Sequence, residues 1–324
     1  MLPDRTVTLV SHGPNCLDGL TCAVVAARYF AGREFRPLFA SNREIDEVLR
    51  EYRPADPDQQ ELWITDISWQ EKETDDHLNA LVKAGVELYW VDHHKSAIDR
   101  RLAGGLAVNF SDYVLDDSYA ASRLLYNYML ERASARGESK PGLLALKNLV
   151  HLADDVDRWI LAIEGSRQLA LAVRAMKHED AFRALLALDS NITYGAELQA
   201  ALARVTHQLA DSLALANSTR RVEEIRGRDL SVVAAECTDY AGEIAERWKT
   251  NFPNAVFALY DRRNRSVSLR RGPNCPVDLS RLAAVFGGGG HAAAAGCTMK
   301  IPASGQSITI AGNIADALSK GLDK

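Results

Sequence analysis

Apolar and polar positions follow two alternating periods through the first half of the chain. RTVTLVSH, from Arg5, carries the dense apolar run of a buried strand, and CLDGLTCAVVAARYF after it sets Leu20, Ala23, Val24 and Ala27 at helical spacing. The alternation repeats with EFRPLFA as a weaker strand and NREIDEVLREY as a helix. ELWITDIS is then a strand, and EKETDDHLNALVKAG a helix closed by Gly85. VELYWVD is a fourth strand, LAVNF a fifth, and helices follow near 118–134 and 141–153. Strands that alternate with helices in this way predict an α/β fold with a doubly wound parallel sheet.

From about 160 to 225 the pattern turns helical. GAELQAALARVTHQLADSLALANS reads as one helix and STRRVEEIRGR as a polar connection. A second, smaller α/β unit follows: DLSVVAAE as a strand, YAGEIAERWKTNF as a helix, and AVFALY and RSVSLRR as a hairpin about the turn DRRN. DLSRLAAVFG is a further helix, and it runs into FGGGGHAAAAG. The expected organisation is a parallel-sheet domain over 1–190, a helical linker over 191–225 and a smaller α/β domain over 226–324. A chain of 324 residues suits two cores better than one.

Charge and cysteine content narrow the function. A net charge of −5 argues against a protein that coats long duplex nucleic acid, though not against a small anion in a local pocket. The five cysteines, Cys16, Cys22, Cys237, Cys275 and Cys297, are scattered and form no C-x-x-C pair, so neither a disulfide framework nor a structural zinc cluster is indicated. No apolar run approaches the ~20 residues that span a bilayer, and MLPDRTVTLVSHG lacks the pattern of a secretory leader. The expected setting is cytoplasmic, with no membrane partner.

The ends of the strands carry the chemistry. In an open parallel sheet, ligands bind beyond the carboxyl ends of the strands. Strand one ends on Ser11 and His12, followed by Cys16 and Asp18; strand three ends on Asp66; strand four ends on Asp92, His93 and His94. HLADDVDRW adds Asp154, Asp155 and Asp157 at a helix end. A single acid at a strand end commonly caps the next helix, and a single histidine is commonly structural. Collected carboxylates repel one another and require a cation, and a mixture with imidazole suits Mn²⁺, or Mg²⁺, Co²⁺ or Fe²⁺. In the second unit, glycines before His291 and small residues after it allow close backbone approach to an anion. Residues 255–300 carry Arg262, Arg263, Arg265, Arg270, Arg271, Arg281 and Lys300 against Asp261 and Asp278, a local charge of +5. Such a run is either a solvated face or a phosphate-gripping surface.

The motifs SHGPNCLDG, TDIS, VDHHKSA, DDVDRW and FGGGGHAAAAG, in this order, resemble those of the DHH phosphoesterases with a C-terminal DHHA1 domain. The resemblance implies that His12, Asp18, Asp66, His93 and Asp155 are ligands of two metal ions, with Asp66 bridging. It further implies that Asp92 orients His93 and that His94 faces the scissile phosphate. Arg270, Gly288, Gly289, Gly290 and His291 would bind substrate, and a homodimer is common among similar proteins. The first motif departs from the family: Cys16 stands where an aspartate is usual. Either Cys16 is a buried replacement that weakens one metal site, or it is itself a thiolate ligand that favours a softer metal such as Fe²⁺, Co²⁺ or Zn²⁺. The implied function is two-metal hydroxide attack on short oligoribonucleotides or linear dinucleotides such as pGpG and pApA. The alternatives are a 3′-phosphoadenosine 5′-phosphate phosphatase and a catalytically degenerate nucleotide-binding protein.

Overall fold

The computed structural model describes residues 5–104, 107–299, 301 and 305–321. It separates into two compact units, 1–205 and 206–324. In the first, the strands are β1 (Thr6–His12), β2 (Phe35–Ala40), β3 (Gln60–Thr65), β4 (Glu87–Asp92) and β5 (Asp112–Leu115). Helices α1 (Leu17–Tyr29), α2 (Ile45–Glu51), α3 (Lys72–Lys83) and α4 (Lys95–Leu102) connect them. After β5 come α5 (Ala121–Ala135), α6 (Pro141–Leu144), α7 (Lys147–Asp157), α8 (Ser166–Arg174) and α9 (His178–Leu186). The sheet is parallel throughout, in the order β2-β1-β3-β4-β5. Alternate side chains enter two cores: Val7, Leu9, Trp63 and Tyr89 pack with α1, α5 and α7, whereas Val10, Leu62, Ile64 and Trp90 pack on the other face. Burial on both faces is why these strands read as apolar runs.

Strand order reverses between β1 and β3, and this switch point is where such sheets open a crevice at their carboxyl edge. The edge is pinned there. Ser11 Oγ donates to Gly19 O at 2.8 Å, and Thr65 Oγ1 donates to Ser11 Oγ at 2.9 Å. A Cβ on Gly19 would stand 2.1 Å from His12 O, so glycine alone lets α1 start this close to the end of β1.

The fifth strand is displaced from expectation. Residues 107–110 of LAVNF form no strand, and the pairing with β4 is made by Asp112–Leu115. This short edge strand is half exposed and carries little apolar periodicity.

The 24-residue helix α10 (Ala196–Thr219) follows. Its first turns place Leu198 and Ala201 in the core of the first unit, and near its end Ala216 joins a core of the second. The region expected to link the domains is therefore packed at both ends. The division between units falls inside this helix, between Val205 and Thr206. The second unit holds β6 (Arg221–Glu224), β7 (Ser231–Cys237), α11 (Ala241–Trp248), β8 (Ala255–Asp261), β9 (Ser266–Arg271), α12 (Leu279–Val285), β10 (Gly289–His291), β11 (Ala294–Cys297) and α13 (Gln306–Ser319). Its mixed sheet runs β10-β11-β9-β8-β7-β6. The supposedly polar connection contains β6, an exposed edge strand whose charges hide it from any apolar pattern. The glycine run forms the β10–β11 hairpin, and α13 packs Ile310 and Ile314 under the sheet. Neither was assigned from the sequence. Among the described residues no helix is long and apolar enough to cross a membrane.

Candidate functional site

Asp66 is the centre of the carboxyl edge of the first sheet. It follows β3 directly and takes φ +58°, a left-handed conformation that aspartate tolerates better than most side chains. Its backbone N–H donates to Val91 O at 3.0 Å, which fixes the turn. One carboxylate oxygen, Oδ2, lies 3.6 Å from His12 Nδ1 and 3.4 Å from Cys16 Sγ. The other, Oδ1, lies 3.4 Å from His93 Nε2. His93 Nε2 is in turn 3.3 Å from Asp157 Oδ2. Three overlapping donor groups result, each with its ligating atoms within 4.8 Å of one another: His12–Cys16–Asp66, Asp66–His93–His94 and Asp18–His93–Asp157.

This donor set fits divalent cations. His93 Nε2 is buried and has no hydrogen-bond partner, although two carboxylates converge on it. An unpartnered ring nitrogen between anionic oxygens is the arrangement a shared cation satisfies. The electrostatics agree. Burial and the neighbouring Asp66 and Asp157 charges push the Asp18 carboxyl well above the usual range. Burial and Asp66 raise Asp157 to about 6. Burial and the same carboxylates raise the Cys16 thiol. Asp66 alone among these acids is lowered: burial opposes its ionisation, but the adjacent His12 and His93 rings prevail. Anions this close either take up protons or share a metal.

The acidic triplet at the end of α7 divides its work. Asp154 accepts from Ala120 N at 2.7 Å and pairs with Arg123 at 2.8 Å. Asp155, expected among the ligands, instead accepts from Ala162 N at 2.9 Å, Ile163 N at 3.2 Å and Ser166 Oγ at 2.6 Å. Asp157 occupies the position beside His93. The reason is helical phase: successive residues turn by about 100°, so neighbours cannot share one target. The role of Asp92 also changes. Its Oδ1 accepts from His94 Nδ1 at 2.7 Å and from the backbone N–H groups of His93 and His94, at 2.8 and 3.1 Å. It therefore orients His94, not the His93 ring. That hydrogen bond raises His94 to about 9. The His94 side chain is 46% exposed.

In the second unit three of the seven basic residues of the run over 255–300, Arg262, Arg263 and Arg281, have an acidic partner. Arg262 pairs with Glu236 at 3.1 Å, and Arg263 with Asp239 and Asp261 at 3.2 Å. Arg281 lies 3.9 Å from Asp278, Arg271 donates to Val277 O, and Lys300 lies outside the described residues. Arg270 is different. It is half-buried, burial lowers its pKa, and its guanidinium donates to Leu269 O, with no acid beside it among the described residues. Cross-strand register pairs Arg270 with Ala294 and Ala294 with His291, which puts all of them in one row on one face. Two of the glycines serve the hairpin: a Cβ on Gly288 would meet Gly296 O at 2.1 Å, and one on Gly290, at φ +139°, would meet Ala295 Cα at 2.6 Å. Gly289, between them, faces open space.

A cavity of about 450 Å³ in the first unit, lined by Asn148, His151 and Tyr194 among others, contains none of the clustered ligands.

The chain is 27% identical over 321 residues to the oligoribonuclease NrnB of Bacillus subtilis (strain 168), covering 90% of this chain and 72% of that protein. The pGpG-specific phosphodiesterase PggH of Vibrio cholerae superposes with a TM-score of 0.60 at 12% identity, covering 99% of this chain and all of that one. RecJ of Thermus thermophilus, solved with Mn²⁺, superposes at 0.54 and 15% identity, covering 98% of this chain and 52% of that one. No family model matches. The chain is similar to proteins of the DHH family. Within this chain, His12, Cys16, Asp18, Asp66 and His93 come together as a cluster, Asp157 joins them, and Asp155 lies apart. The helical phase of the DDVD segment was the one signal that could have separated the aspartates. It required knowing which face of α7 meets the sheet.

Proposed function

We propose that this chain is a metal-dependent phosphodiesterase that hydrolyses short oligoribonucleotides or linear dinucleotides such as pGpG to mononucleotides. The observation that carries the reading is Asp66, one carboxylate shared by two donor groups at the switch point of the sheet. NrnB and PggH, similar along most of the chain, are named for cleavage of oligoribonucleotides and pGpG.

His12, Cys16 and Asp66 would hold one ion, and Asp18, Asp66, His93 and Asp157 the other. Mn²⁺ suits the imidazole–carboxylate mixture, and Cys16 shifts its site toward Fe²⁺, Co²⁺ or Zn²⁺. When bound, the ions supply Lewis acidity and a water of lowered pKa. Asp66, common to two donor groups, would be shared between the two sites. His94, whose protonated form the hydrogen bond to Asp92 favours, would face the phosphoryl oxygens and stabilise the charge that builds there. Water oxygen bonds to phosphorus, the bond to the 3′-oxygen breaks, and that oxygen leaves as a hydroxyl after taking a proton. Arg270 and His291 form a shelf for a substrate phosphate, where a guanidinium without a resident acid is available to an anion.

The test is a panel of two- to seven-residue RNA, pGpG, pApA, 3′-phosphoadenosine 5′-phosphate and pyrophosphate with added Mn²⁺. Rapid release of 5′-mononucleotides from the shortest RNA and dinucleotides is expected. Undiminished turnover after exhaustive chelation, or cleavage of pyrophosphate alone, overturns the reading.

A further inference from the structure

Helix α7 ends on Asp157 in the metal cluster, and the chain then does something costly. In the turn over 158–165, Trp159 and Leu161 take φ +56° and +57°, a region that bulky side chains avoid. Asp155 makes the largest share of the hydrogen bonds in this turn. The backbone carbonyl of Asp155 accepts from Ile160 N at 2.9 Å and Leu161 N at 3.3 Å, and its carboxylate accepts from Ala162 N, Ile163 N and Ser166 Oγ. A buried carboxylate with that many donors is a firm anchor.

The turn gains no core by this. It leaves Trp159 47%, Ile160 52% and Ile163 41% exposed, whereas Trp63, Trp69, Trp90 and Trp248 are at most 3% exposed. The guanidinium of Arg167 stands over the indole ring at 5.4 Å. Trp159 is two residues from Asp157, so the two Cα atoms lie within about 7 Å. A wide aromatic face, fixed by a strained turn beside a phosphate-reacting centre, matches the flat face of a base attached to that phosphate.

We propose that Trp159 is the surface on which a nucleobase of the substrate stacks, and that Asp155 is the positioning residue that holds it there. This rests on the phosphodiesterase reading above. Base–aromatic stacking is tolerant of sequence, so Trp159 would bind either purine or pyrimidine and favour nucleotides over simple phosphate esters.

The experiment compares pGpG with the same dinucleotide carrying abasic sugars, in wild type, Trp159→Ala, Trp159→Phe, Asp155→Asn and Ser166→Ala, each with Mn²⁺. The readout is the ratio of kcat/KM for the two substrates. It should fall roughly tenfold in Trp159→Ala, mainly through KM, and recover partly in Trp159→Phe. Asp155→Asn should lower the ratio too, and Ser166→Ala serves if that variant fails to fold. A second readout is independent of turnover: pGpG should quench tryptophan emission in wild type and lose most of that effect in Trp159→Phe. An unchanged ratio together with unchanged quenching, while wild type cleaves pGpG, overturns the stacking role and leaves the function standing. Wild type that binds pGpG with quenching but cleaves no dinucleotide overturns the function and leaves the stacking surface.

Discussion

Replacing Asp157 with asparagine should stabilise the metal-free protein, and replacing Asp155 should destabilise it. The two side chains sit two residues apart on α7, but their environments are opposite. Asp157 faces Asp66, and burial and that charge raise its folded pKa to about 6 from 3.8. That rise corresponds to ~3 kcal/mol against the ionised form. Its side chain is 25% exposed, and solvent screening reduces the figure to about 1–2 kcal/mol. The sign follows from proton linkage. Between the unfolded and folded pKa values the native state binds more protons, so stability falls as pH rises from about 4 to 6 and the full penalty persists above that window. Asp157→Asn removes the penalty. At pH 8 in chelator, its Tm should rise by about 3–6 °C, and the loss of stability between pH 4 and 6 should shrink. Asp155→Asn leaves at least one of Ala162 N, Ile163 N and Ser166 Oγ facing an amide nitrogen, at a cost of about 2–4 kcal/mol, and Tm should fall. Adding Mn²⁺ discriminates further: the metal-induced rise in Tm should survive in Asp155→Asn and largely vanish in Asp157→Asn. Differential scanning fluorimetry with and without chelator reads all of this. A stabilised Asp155→Asn, or a metal response lost there and kept in Asp157→Asn, would refute the assignment of Asp157 to the centre.

Further outcomes follow from the same geometry. Loaded with Co²⁺, the protein should show a near-ultraviolet sulfur-to-metal charge-transfer band that disappears in Cys16→Ser and Cys16→Asp; two bound ions without that band would remove Cys16, 3.4 Å from Asp66, from the ligand set. Arg270→Ala should raise KM for pGpG by about 10- to 100-fold, the loss of a charge-assisted phosphate contact of ~1.5–3 kcal/mol, with Tm unchanged because the guanidinium is desolvated without an acid partner. Activity that needs cationic His94 should decline at high pH, and Asp92→Asn should move that limb toward lower pH, as read from kcat/KM against pH with metal saturating. A limb unmoved by Asp92→Asn would show that another group sets it.

The sequence by itself determined the first sheet and named most of the residues that cluster at its carboxyl edge. Strands buried on both faces leave dense apolar runs, so β1, β3 and β4 were legible, and the residues just beyond their ends were the right place to look. The strong helices and the hairpin of β8 and β9 were legible for the same reason, periodicity matched to burial. Edge elements other than β2 were not. The exposed strand β6, the half-exposed β5 and the hairpin of β10 and β11 bury little on at least one face, so hydrophobic spacing carries no record of them. Nor could spacing choose among Asp154, Asp155 and Asp157, give Asp92 to His94, or distinguish paired arginines from Arg270. Those choices depend on which side of a helix or strand faces which neighbour, and on where the opposite charges come to rest. Only the tertiary structure decides them, because many partners are distant along the chain and the near ones, such as Asp92 and His94, depend on how the backbone turns after the strand. Asp154 meets Arg123 across 31 residues, and His93 meets Asp66, and Arg262 meets Glu236, across separate strands, beyond the reach of any local pattern.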